Sequence, residues 1–475
     1  MKDDVKDARV GLPLLNNYVE YWAGKTPDKE AMIQYEDGKT ITYGKFKTLI
    51  DFFALKLLEM GIGHGDRVAT QLVLIPEHII FMYACFKIGA IIAPLDLRLK
   101  EDEVVRELGK IRPKAFFFLG RTPAIDFTKI GEAVRDRCPY VEHLVQFTPD
   151  SKPGEIIDGA VPITELMSKG RLVWLKITNI FTRRLEMAYA AIGPRTPVLI
   201  IYTTGTTGEP KPAVLCHENI LVQNELLARG NGLSSDNRVL INFPPSHVGC
   251  VTELFMTTTY LGGTSIFPRV FDVALTLEAI EKWKINDLRQ IPTQFRMLWT
   301  HRDYAKYDLS SLTFVAYAGA ALPAGEVGEI CYQPPSCSWA IMTSPRRPAR
   351  AISREGILYT GDLGYFKEMG SYRALYLSGR RKFMIKQKGY NVFSDEGIFA
   401  FVRPAVGISL APEAVLNHCK SIAAYKRPLH VEILPVEKPF TLTRSTKVDK
   451  MALKEIAAAI IEGLRAKGEW EASGS

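Results

Sequence analysis

Between about residue 14 and residue 120, segments with apolar residues at helical spacing alternate with short strand-like runs, and this alternation constrains the fold more than any other feature of the chain. Phe46–Glu59 carries apolar residues at helical spacing and ends near Gly61. Arg67–Leu74 is a strand candidate after the Gly65-Asp66 turn, Glu77–Ile88 is again helical, and Ile91–Pro94 is again strand-like. Alternation of this kind predicts an α/β fold. The longest apolar stretch, around Ile79–Leu95, is interrupted by Lys87, Gly89 and Pro94, so it reads as helix, turn and strand and not as a membrane span.

Further along, Val198-Leu199-Ile200-Ile201-Tyr202 forms a short apolar run fit for a buried strand. Thr203, Thr204, Gly205, Thr206, Thr207 and Gly208 follow, and Lys211 comes three residues later. Glycines let backbone N–H groups approach an anion closely, hydroxyls add donors, and a lysine supplies a point charge. Those are the parts of a phosphate cradle. It is not the common P-loop, because Pro212 stands where a Ser or Thr should follow the lysine. The plainer reading is a polar loop joining a strand to the next element.

A length of 475 residues suggests about three domains on the usual ~150-residue prior, a rule that large α/β domains break. Apolar and charged contents of 47% and 24% are ordinary for a soluble globular protein. The net charge of +8 suits anionic small molecules, and the absence of a long Lys/Arg tract or a basic–aromatic motif argues against nucleic acid. The seven cysteines, at 85, 138, 216, 250, 331, 337 and 419, include no Cys-x-x-Cys pair. They read as small packed side chains in a reducing cytoplasm. The charged start, Met-Lys-Asp-Asp-Val-Lys-Asp, lacks the apolar core of a signal peptide.

Tyr202–Lys211 resembles the signature of the adenylate-forming (ANL) superfamily, which includes acyl-CoA synthetases, coumarate-type ligases, luciferases and peptide-synthetase adenylation domains. The resemblance extends to Gly65-Asp66-Arg67-Val68-Ala69 and Lys87-Ile88-Gly89-Ala90. Tyr359-Thr360-Gly361-Asp362 resembles the Tyr-x-Thr-Gly-Asp element, which implies that Asp362 holds the ribose of ATP. Gly379-Arg380-Arg381-Lys382 with Met384–Tyr390 resembles the hinge and the first strand of the small domain. That implies Arg380 as a nucleotide contact, Lys382 as the pivot, and Lys388, Gly389 and Tyr390 at the CoA site. Thr441–Val448 resembles the segment bearing the family's catalytic lysine, which implies that role for Lys447, although Thr446 stands in place of the usual glycine. Pro244–Gly249 resembles Pro-x-x-His-x-x-Gly with the glycine one position early. It implies His247 beside the acyl pocket, and a structural histidine satisfied by its neighbours is the competing reading. Ala318–Leu322 resembles the strand end lining that pocket, through Gly319 and Ala320.

Two blocks of the family pattern are missing. Pro323-Ala324 runs directly into Gly325–Ile330, and no Tyr-Gly-x-Thr-Glu, the motif that contacts adenine and supplies the Mg²⁺ glutamate, occurs anywhere. The metal ligand is therefore unassigned. A second shortening falls near 396–411. The resemblance implies a large adenylation domain of mixed sheets packed with helices over 1–378, and a small mobile α+β domain over 379–475. It implies ATP, Mg²⁺ and CoA as cofactors and a small carboxylic acid, fatty or aryl, as substrate. A nucleotide-binding homologue impaired in adenylation, and an enzyme that passes its acyl group to a carrier-protein thiol, are the alternatives. Gly170–Arg184 mixes apolar residues with basic ones and reads either as a solvated helix with one packed face or as a membrane-surface helix, so membrane contact is at most peripheral. Pro334–Pro348, rich in Pro, Ser and Arg, reads as a surface loop. Oligomeric state is not legible.

Overall fold

A computed structural model describes residues 11–122, 126–147, 155–166, 169–204, 210–317, 328–333, 338–342, 358–369, 372–380, 398–402, 404, 410–421, 427–435 and 450–467, with backbone alone over 328–380. The chain divides into two compact units between Tyr317 and Ala318.

The first unit is built on two sheets. One has seven strands in the order Val161–Pro162, His143–Phe147, Ala115–Leu119, Arg67–Gln71, Ile91–Pro94, Pro197–Thr204 and Pro210–Cys216. All neighbours are parallel except the last pair. Ala115–Leu119 is buried at every residue, as expected for a central parallel strand covered on both faces. The other sheet has six strands in the order Phe314–Tyr317, Asp287–Gln290, Arg238–Leu240, Thr264–Phe267, Glu30–Gln34 and Thr40–Thr42. Its first five strands are parallel. The α/β class expected from the alternating pattern is the class observed.

One apolar core joins the two sheets. It takes Met32 from the six-stranded sheet, Val68 and Ile92 from the seven-stranded sheet, and Phe46, Tyr83 and Phe255 from the helical segments. Ile33, the next residue after Met32, joins a separate cluster with Ile266, Leu277, Ile280 and Leu288. Alternation along a strand sends successive side chains to opposite faces, so this sheet is covered on both. The rings of Phe46, Tyr83 and Phe255 meet edge to face at 5.2, 6.4 and 6.1 Å. Pairs of this kind add about 0.5–1.5 kcal/mol each beyond the area they bury.

The helix Pro76–Lys87 starts with proline in its first turn and Glu77 beside it, and has Lys87 in its last turn, matching the polarity of the helix dipole. Every residue in it except Glu77 is buried. Its charged end is accommodated by pairing: Lys87 Nζ lies 2.8 Å from Glu20 and 2.6 Å from Asp51. Burial disfavours the ammonium, but the two carboxylates outweigh it and hold the Lys87 pKa above its ordinary value. Gly89 then turns the chain at φ +72°, and a Cβ there would come within 2.7 Å of the His64 ring.

The second unit contains four antiparallel strands in the order Ser338–Met342, Gly328–Gln333, Leu358–Met369 and Tyr372–Arg380. It also has two parallel strands, Ile398–Val402 and Pro428–Ile433, with the helix Pro412–His418 between them in sequence, and the helix Lys450–Ala466. The stretch Pro334–Pro348, expected as a loop, thus contains a strand. Its Ser338–Met342 segment pairs with Gly328–Gln333, and that ladder overrides the turn-prone composition around it. The strand expected over Arg67–Leu74 ends at Gln71. Tyr372–Arg380 runs through residues 378 and 379, where the sequence suggested a domain boundary.

Candidate active site

The hydroxyl-rich stretch lies on a hairpin. Pro197–Thr204 pairs antiparallel with Pro210–Cys216, and Thr203 stands opposite Lys211 and Thr204 opposite Pro210. Val198, Leu199 and Ile200 are buried, which fixes the outgoing strand in the sheet. That strand runs parallel to Ile91–Pro94, so its end at Thr204 lies at the carboxyl edge of the parallel strands, where open α/β sheets bind ligands. Two contacts from the helix Glu101–Ile111 pin the stem. The Tyr202 hydroxyl donates to the Glu107 carbonyl at 2.7 Å, and Lys110 Nζ donates to the Pro210 carbonyl at 2.6 Å. Burial first, then the nearby Glu107 and Tyr140, push the Tyr202 phenol well above its ordinary pKa and keep it a neutral donor. Thr203 and Lys211 are exposed, and Thr203 Oγ1 donates to the Lys211 carbonyl at 3.3 Å. The next described helix, His217–Gly230, follows the return strand. Lys211 on that strand and Lys110 at the Pro210 carbonyl are cations beside the hairpin. Gly205, Thr206, Thr207 and Gly208 lie outside the described residues.

His247 follows the strand Arg238–Leu240 of the six-stranded sheet. Its Nδ1 accepts the Gly249 N–H at 3.0 Å, so in the neutral ring Nε2 carries the hydrogen. The ring stacks on Phe243 at 6.0 Å between centroids. Immediately after it, Gly249–Met256 forms a π-helical segment, a wide turn often found at functional sites. A Cβ at Gly249 would meet His247 Nδ1 at 3.0 Å and Glu253 Oε2 at 3.7 Å, so the glycine lets ring and carboxylate approach. Burial raises the Glu253 pKa, while Arg289 and the Gln223 amide, 3.4 Å from Oε1, pull it back. Arg289 is itself held by two hydrogen bonds to the buried Asp287, at 2.9 and 2.8 Å. In the sequence Thr252-Glu253 looks like the magnesium-site Thr-Glu pair but sits in the wrong segment, and the grouping of Glu253 with Gln223, Arg289 and Asp287 was not legible. Its sequence signals were a lone carboxylate in the apolar Gly249–Met256 run and a charged pair two residues apart in a strand.

In the second unit, Asp362 stands directly opposite Arg380 in the ladder between Leu358–Met369 and Tyr372–Arg380. These two residues, 18 positions apart on consecutive strands and each singled out as a nucleotide contact, are cross-strand neighbours in register. Asp362 therefore belongs to a strand, not to the turn that an Asp after a Gly usually marks. Gly319, Ala320, Lys382, Lys388, Gly389, Tyr390 and Lys447 lie outside the described residues. Among the described residues no three His, Cys, Asp or Glu side chains converge as a metal site.

The sequence pattern of the AMP-binding enzyme family matches residues 19–332. YngI of Bacillus subtilis (strain 168), assigned by name as an acyl-CoA synthetase, is 24% identical over 93% of this chain and 96% of its own length. The aligned length of 546 exceeds the 475 residues present here, so that relative carries segments this chain lacks. Indoleacetate–CoA ligase of Aromatoleum aromaticum is 28% identical over 66% of this chain, and the match spans 57% of the ligase. Among solved structures, the amide bond synthetase McbA of Marinactinospora thermotolerans shares the fold with a TM-score of 0.67 at 20% identity, over 93% of this chain and 99% of its own.

Proposed function

The chain belongs to the AMP-binding enzyme family, and from that premise we propose that it activates a carboxylic acid with ATP and passes the acyl group to the thiol of CoA. A carboxylate is a poor electrophile. Its oxygen attacks the α-phosphorus of ATP, pyrophosphate leaves, and an acyl-adenylate results. The CoA sulfur then attacks the acyl carbon and AMP departs. Thr203 to Gly208 and Lys211 hold the β- and γ-phosphates, Asp362 and Arg380 hold the ribose, and Lys447 offsets the charge that builds on the α-phosphate. Lys382 is the hinge of a small domain beginning near 379, Lys388, Gly389 and Tyr390 face CoA, and Gly319, Ala320 and His247 border the acyl pocket. The acid is of the fatty or aryl class. The site is taken to act in the cytoplasm.

The observation that carries this reading is the hairpin, which sets Thr203 against Lys211 at the ligand-binding edge of a parallel sheet. The Asp362–Arg380 register supports it independently. Mg²⁺ is the usual companion of ATP, but the Tyr-Gly-x-Thr-Glu motif is absent from the sequence, and among the described residues no three His, Cys, Asp or Glu side chains converge as a metal site. No step is therefore routed through the metal. The same absence favours a second reading, in which the chain binds nucleotide but adenylates slowly.

The test is to supply the purified chain with ATP, CoA and a panel of fatty and aryl acids, and to follow products by mass. Acyl-CoA and AMP formed in equal amounts with one acid class support the proposal. Release of ADP and phosphate overturns it. An acyl group delivered only to a carrier-protein thiol changes the acceptor.

A further inference from the structure

The helix Lys169–Thr182 exposes an apolar stripe that the catalytic reading does not use. Val173, Ile177 and Ile180 recur at positions i, i+4 and i+7, and Trp174 and Phe181 lie beside them on the same side of a 3.6-residue repeat. Their exposures are 57, 51, 72, 49 and 82%. Leu175, at 5%, marks the packed side, across a cleft from Leu55 and Leu58 of the helix Tyr43–Glu59. The helix thus has one packed face, but the face turned outward is apolar where a solvated helix would be polar.

Residues 169–184 contain five basic residues and no acidic one. Arg171, Lys176, Arg183 and Arg184 are all exposed. Arg171 pairs with Glu59 and lies 4.3 Å over the Trp174 ring, and Arg184 donates to the Leu58 carbonyl at 2.9 Å. These contacts tie the helix down with its apolar side outward. Arg183 turns the chain at φ +50°, and Asn179 caps the next helix by accepting the Leu185 N–H at 3.0 Å while its amide donates to Glu186.

We propose that this helix docks the protein on an anionic membrane surface, with the apolar stripe at the acyl boundary and the exposed Lys176 and Arg183 among the headgroups. At 14 residues it is too short to span a bilayer, and no described helix is long and apolar enough to cross one. A second copy of the chain fits less well. Two-fold pairing of this face would set each basic flank against its equal, with no acidic residue in 169–184 to answer it.

The experiment is cosedimentation of the full chain with phosphatidylcholine vesicles, with and without phosphatidylserine. Binding that requires the anionic lipid and weakens with salt is expected. The double variant Ile180→Ser/Phe181→Ser changes two exposed side chains and should lower vesicle affinity by roughly 10–100-fold. Lys176→Glu should lower it by roughly fivefold or more. Circular dichroism confirms that each variant is folded. Equal binding by wild type and the double variant, or no binding to anionic vesicles, overturns the proposal. So does a concentration-dependent dimer that the double variant abolishes while neither protein binds lipid.

Discussion

Lys211 is the residue on which most of the chemistry rests. It is exposed on the return strand of a hairpin, opposite Thr203. Lys211→Ala should therefore leave the fold intact and weaken ATP binding by about 1.5–3 kcal/mol, the worth of a charged hydrogen bond. Calorimetry on the folded variant measures this, and unchanged affinity would remove the hairpin from the site. The sequence singled this residue out through the resemblance of Tyr202–Lys211 to the adenylate-forming signature, since glycines, hydroxyls and a lysine in one run are also common in polar loops. Arg289 and Glu253 lie 36 positions apart, and only the path of two strands and a π-helical segment brings them into electrostatic contact.

At the scale of elements, two buried histidines tie stability to pH. His78, on Pro76–Lys87, shares a 2.9 Å hydrogen bond with Thr70 of the neighbouring strand. His217 starts the helix after the hairpin and accepts the Leu15 N–H at 3.2 Å on Nδ1. Burial lowers both pKa values from 6.5 to about 4. The unfolded chain takes up these protons below pH 6.5, whereas the folded chain resists them until about 4, so their contribution is complete above 6.5 and is lost as pH falls. Each is worth about 3 kcal/mol across that window. Urea unfolding at pH 7.5 and pH 4.5 should show the loss, and His78→Gln/His217→Gln should reduce it. An equally steep loss in the double variant would assign it to carboxylates instead. Elements of this kind were well read where periodicity was strong: the helix expected over Glu77–Ile88 is Pro76–Lys87, and Ile91–Pro94 matches at both ends. Ser338–Met342 was missed because its partner strand, not its own composition, makes it a strand.

At the scale of the whole molecule, Phe314–Tyr317 is the outermost strand of the six-stranded sheet among the described residues, and Val315 on it is 52% exposed. The shortening of the family pattern near 323–325 lies a few residues beyond this strand. The overall class was legible because alternating periodicity and the strand-to-loop transition after Tyr202 are local signals. The cross-strand pairing of Asp362 with Arg380 was not, since register depends on both strands at once. A chain with the phosphate hairpin but without the adenine-contacting motif should bind ATP and adenylate slowly, because small misplacements of the nucleotide are costly. The most direct test is carboxylate-dependent exchange of labelled pyrophosphate into ATP by the purified 475-residue chain. Adenylation through this hairpin predicts exchange that requires the acid, runs below the ~1–10³ s⁻¹ usual for enzymes and falls further in Lys211→Ala. Exchange that is absent from the folded protein, or that proceeds equally without acid, would contradict it.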